Sequence, residues 1–98
     1  MIRHILLWKY REGVNKEDAL KILKDSVDTL KDIDGVRSVE INPNLEENAY
    51  DLVFYSEFKD RQSLINFKTH PLHVAHAKRC ANLVTDRLGA DVECEDKI

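Results

Sequence analysis

The sequence predicts an α+β fold: a ferredoxin-like βαββαβ chain with a four-stranded antiparallel sheet. Three observations carry this expectation. Four segments alternate in side-chain character with period two, two segments repeat apolar residues every three or four positions, and the two kinds follow one another in the split βαβ order. The first and third strands are then central and antiparallel.

The first strand is residues 2–10, where Ile2, His4, Leu6, Trp8 and Tyr10 share one face and Ile5 and Leu7 the other. Both faces call for burial. A turn at Glu12 and Gly13 leads to Asn15, which with Asp18 three residues on approximates a capping box and starts a helix at Lys16. Ala19, Leu20, Leu23, Val27, Leu30 and Ile33 form its apolar stripe, and Gly35 ends it as a left-handed cap.

Val36 to Asn42 reads as an edge strand that Pro43 interrupts, and a polar loop follows to Asn48. The third strand, Tyr50 to Phe58, sets Tyr50, Leu52, Phe54 and Phe58 against Val53 and Tyr55, so it too is apolar on both sides. Asp60 caps a short helix through Phe67 with Leu64 and Phe67 inward. His70 then caps a long helix with Pro71 at its first position, where the missing N–H has no intrahelical role. His73, Ala77, Cys80, Val84 and Leu88 form its stripe, which carries the helix to Leu88. Gly89 punctuates, and Ala90 to Glu95 closes the sheet.

Composition narrows the function. The 98 residues fit one domain, 1–98, and 15 basic against 18 acidic residues, interspersed, give no basic face for nucleic acid. No apolar run approaches the length of a membrane span or a signal peptide, so a cytoplasmic location is expected. Cys80 and Cys94 lack metal or disulfide spacing and read as reduced packing residues. Two helices cover one face of the sheet, while the other face of the two central strands would leave a large apolar patch bare. A second copy of the chain, sheet against sheet, is the expected partner.

The histidines carry the candidate chemistry. His73 stands at a helix start and heads an apolar stripe, which aims it inward and favours neutral imidazole; His4 shares a strand face with Leu6 and Trp8, as a pocket group or as a core histidine. His70 reads as a cap and hinge, and His76 as a partly exposed helix residue. A metal site from His70, His73 and His76 is disfavoured, because intervals of three turn about 300° around the axis and no carboxylate completes the set. Trp8, Tyr10, Phe54 and Tyr55 read as core or dimer contacts, most of them at the interface, and Asp91, Glu93, Glu95 and Asp96 as a solvated edge.

The opening IRHILLWKYREGV, the Gly35-Val36 turn, YDLVFYSEF and above all HPLHV resemble the stress-responsive α/β-barrel (Dabb) family over nearly the whole chain. The resemblance implies a dimer of ferredoxin-like subunits that join their sheets into a dimeric α+β barrel. Members include a plant polyketide cyclase that closes a linear chain by aldol chemistry, and by that likeness His4 and His73 match its two histidines and His70 the first of its HPxH motif. Its two pocket tyrosines are replaced here by Ser26 and Phe67. The expected site is therefore His4 and His73 as catalytic groups, with His70, Phe67 and Trp8 around a small apolar or aromatic carbonyl compound and no cofactor. A non-catalytic dimer is the alternative, and a haem-handling one rests on fold analogy alone.

Overall fold

The structure, a computed structural model, describes residues 1–95. The elements are β1 (Ile2–Tyr10), α1 (Lys16–Asp28), β2 (Val36–Pro43), β3 (Leu52–Phe58), α2 (Arg61–Thr69), α3 (Pro71–Cys80) and β4 (Val84–Glu93). They form one antiparallel sheet in the order β2-β3-β1-β4, so the two strands that are apolar on both faces are central, as expected.

The caps follow the sequence. Asn15 Oδ1 accepts from the Asp18 amide at 3.0 Å and Asp60 Oδ1 from the Ser63 amide at 2.8 Å. His70 ends α2 and opens α3, its ring Nδ1 accepting from the Leu72 amide at 3.1 Å. The first helix stops earlier than its stripe suggests. From Thr29 on the chain turns through i→i−3 bonds, which still carry Leu30 and Ile33 into the core. Gly35 follows at φ 87°, and a Cβ there would lie 2.3 Å from Ser63 Oγ, so this turn excludes any other residue.

The long last helix is not formed. α3 ends at Cys80, and Val84 and Leu88, expected on its stripe, are strand residues. The reason is the edge of β1: the Arg11 amide bonds the Leu83 carbonyl at 2.9 Å, and β4 then pairs with β1 from Tyr10 to Ile2. A continued helix would leave that edge of a central strand without partners. Val84 and Leu88 fit a helical spacing and a strand equally, because a four-residue interval is common to both patterns.

Pairing sorts the side chains into two faces. Ile2, His4, Leu6 and Trp8 with Leu52, Phe54, Ser56 and Phe58 lie under the helices and are buried. They meet Leu23, Val27, Leu30, Leu64, Phe67 and Cys80 in one core. Trp8 and Phe54 are thus core residues, not dimer contacts. On the opposite face the rows are Val53–Leu7–Leu88, Tyr55–Ile5–Ala90 and Glu57–Arg3–Val92, with Leu88 53% and Val92 48% exposed. No element covers this face among the described residues. The acidic edge is also more engaged than expected: Asp91 bonds His4, and Glu93 forms a forked pair with Arg61 at 2.8 Å. Asp96 of that run lies outside the described residues. No helix among them is long and apolar enough to cross a membrane.

Candidate functional site

Between the helix-side face of β1 and β4 and the inner side of α3 lies a cavity of about 240 Å³. β1 supplies His4, Leu6 and Trp8; α2 and α3 supply Phe67, His73, His76, Ala77 and Cys80; β4 supplies Val84, Thr85 and Arg87. The topology explains this composition. Antiparallel pairing of β1 with β4 closes the floor, and α3, which runs directly into β4, forms a wall above it.

His4 is 5% exposed, and its Nδ1–H donates to the Asp91 carboxylate directly across the β1/β4 ladder. Its Nε2 has no hydrogen-bond partner among the described residues, and its ring stands edge-on to Phe54 and Phe58. His73 repeats the pattern with another acceptor: Nδ1–H donates to the Lys68 carbonyl at 3.1 Å, and Nε2 is again unpartnered among the described residues. Its ring packs 4.5 Å from Phe67. Burial holds the His73 pKa below its ordinary value, with the positive charges of His4, Arg87 and Lys68 adding and the Lys68 carbonyl opposing. The ring is neutral at pH 7, which keeps Nε2 available as a base.

His76, expected to be partly exposed, is 3% exposed and belongs to the cavity wall. α3 leans against α1, and this brings Ser26 Oγ to 2.8 Å from His76 Nδ1 and 2.7 Å from Arg79 Nε. Arg79 donates to the serine oxygen, so the serine hydroxyl donates to the neutral ring, whose Nε2–H faces Cys80 Sγ at 3.4 Å. Burial, helped by His73 and Arg79, lowers the His76 pKa to about 4. Burial likewise pushes the Cys80 thiol up to about 11, so it is a packing thiol and no nucleophile. Both His76 nitrogens are engaged, whereas His4 and His73 each keep one free.

Of the residues expected at the site, His4, His73, Phe67 and Trp8 line the cavity, and His70 does not; its ring is used in capping. Sequence reasoning missed Asp91, Arg87 and the Ser26–His76–Arg79 chain. The signal for Asp91 was present only in combination, since register between the first and last strands pairs it with His4. Among the described residues no group of three or more His, Cys, Asp or Glu is arranged to hold a metal ion.

The chain is similar in structure to a dimeric ferredoxin-like protein of unknown function from Bacteroides fragilis, at 30% identity and TM-score 0.80 over 95% of each chain. A Dabb family protein from Mesorhizobium loti matches at 25% identity and TM-score 0.81 over 97% of each chain. A hydroxynitrile lyase from Passiflora edulis shares the fold, at 14% identity and TM-score 0.80 over 99% of this chain and 95% of its own. Among curated proteins no relative matches the sequence. The profile of the stress responsive A/B barrel domain, Dabb, matches residues 2–94, and the chain belongs to that family.

Proposed function

We propose that this chain is a homodimer whose cavity binds a small apolar or aromatic carbonyl compound and moves protons on it with His73 and His4. The observation that carries the reading is the pair of imidazoles lining one mostly apolar cavity, each held through Nδ1 and each with Nε2 unengaged. Neutral His73 removes a proton α to the carbonyl. His4, acting as an imidazolium whose Nδ1–H stays on the Asp91 carboxylate, donates its Nε2 proton to the carbonyl oxygen as the enolate forms. Each step is of the kind that contributes about 10²–10⁴-fold in rate. Leu6, Trp8, Phe54 and Phe67 surround the apolar part of the ligand, and among the described residues that line the cavity there is no tyrosine.

Dimerisation is supported by the bare apolar rows and by Arg3 Nε, which is buried on that face without a partner among the described residues. The Bacteroides fragilis relative is itself described as dimeric.

The test is exchange of α-protons for deuterium in a panel of aryl methyl ketones, followed by NMR. Wild-type protein should accelerate exchange over an equal concentration of free imidazole. His73→Ala should lose at least about 10²-fold and His4→Ala a comparable factor, both with unchanged melting behaviour. Wild-type exchange no faster than imidazole would remove the catalytic part of the proposal.

A further inference from the structure

The β1/β4 ladder is irregular at one place, and it is the place that borders the cavity. Tyr10 pairs with Val84 and Lys9 with Thr85, but Trp8 pairs with Arg87, so Asp86 is an extra residue. It sits at φ 45°, in the left-handed region, with its carboxylate 3.5 Å from Lys9 Nζ. An unbroken ladder would pair Trp8 with Asp86 and Leu7 with Arg87. The cavity floor would then present a carboxylate, and Arg87 would lie on the bare face among Leu7 and Val53. The bulge reverses this, as bulges beside sites re-aim side chains.

Beyond the bulge, Arg87, Gly89 and Asp91 stand on one face of β4, opposite Trp8, Leu6 and His4. Gly89 keeps the floor between them low, since a Cβ there would come within 2.8 Å of Leu6 Cδ2. Arg87 is exposed at the cavity, and its guanidinium makes no hydrogen bond or ion pair among the described residues; Asp91 is occupied by His4. The floor is therefore polarised: a cation with free donors at one end, and the carboxylate-bonded histidine four residues away at the other.

We propose that the ligand carries a carboxylate, which Arg87 binds at the cavity mouth, while the carbonyl end reaches His4 and His73. The inference deepens the reading of the cavity as a carbonyl site and fixes the direction in which the ligand lies. A planar guanidinium matches a carboxylate through two parallel hydrogen bonds, which a neutral amide cannot reproduce. The reverse orientation would bring the anion against Asp91.

The experiment compares benzoylbutyrate, an aryl ketone ending in a carboxylate, with its primary amide, by calorimetric titration. Wild-type protein should prefer the acid by roughly tenfold or more, and the preference should shrink with added salt because Arg87 is exposed. Arg87→Gln should abolish the preference by weakening the acid much more than the amide, and Arg87→Lys should retain part of it. Because Arg87 has no partner to orphan, both variants should melt as wild type does. Equal affinity for acid and amide, or a preference that survives Arg87→Gln, overturns the inference and leaves the carbonyl-site reading standing. Failure of both compounds to bind removes that reading, and the anchor with it.

Discussion

The two faces of the sheet are made by the same strands, yet they differ in what covers them and in what they do. Along β1, Ile2, His4, Leu6 and Trp8 lie beneath helices in a core and a cavity, while Arg3, Ile5 and Leu7 between them face no covering element among the described residues. The side chains are similar in apolar character, so composition does not separate the faces. Covering does: the helix side gains a partly buried cavity in which His73 and His76 are oriented and held below their ordinary pKa, and the other side is an apolar surface that the proposed dimer would cover. Substitutions at adjacent residues should therefore fail in different ways.

The largest effect is expected at Trp8. Trp8→Asp places a carboxylate in the core without a partner, at a cost of several kcal/mol that is comparable with the whole stability of a small domain. Circular dichroism should show an unfolded chain, and a folded Trp8→Asp protein would mean that the helix side is not the core. One residue earlier the outcome changes. Leu7→Asp should dissociate the dimer at micromolar concentration, seen by sedimentation or light scattering as half the wild-type mass, while the helical signal persists. If Leu7→Asp and wild type have the same mass, the bare face is not the interface.

A third prediction sharpens the contrast through pH. His76 is neutral in the folded protein down to about pH 4, whereas in the unfolded chain it takes up a proton near 6.5. Its folded pKa is depressed, so the unfolded state binds more protons in that interval, and stability falls as pH falls. Above 6.5 the group has no effect; between 6.5 and about 4 it costs up to roughly 3 kcal/mol. Urea melts across this range should show the loss, and His76→Phe should flatten it. An equally steep slope in His76→Phe would assign the pH dependence elsewhere. The smallest effect belongs to a residue on neither face: Asn15→Ala removes the α1 cap and should lower stability by about 1 kcal/mol, with mass and ligand binding unchanged.

These differences mark what was legible beforehand. Strand alternation identified β1 and β3 and placed His4 with Leu6 and Trp8, because period two is a local property of extended chain. It did not say which face the helices would choose, so the strand aromatics were assigned for the most part to the interface, while Trp8 and Phe54 pack in the core. His73 was expected to point inward from its place at a helix start, and it lines the cavity. His76, three residues on, was not, because its burial depends on Ser26 from a helix fifty residues away.

The sequence by itself determined the order of elements, the caps at Asn15, Asp60 and His70, the left-handed turn at Gly35 and the family pattern in HPLHV. Each is written within a few residues, where backbone sterics and short hydrogen bonds decide. Only the tertiary structure decided where α3 yields to β4, since that depends on the unpaired edge of β1 rather than on residues 81–88 themselves. The same holds for the bulge at Asp86, the His4–Asp91 pair and the placing of Arg87 over the cavity. All of these follow from register between the two ends of the chain, and register is set by which side chains can be buried together, a condition that no local spacing contains.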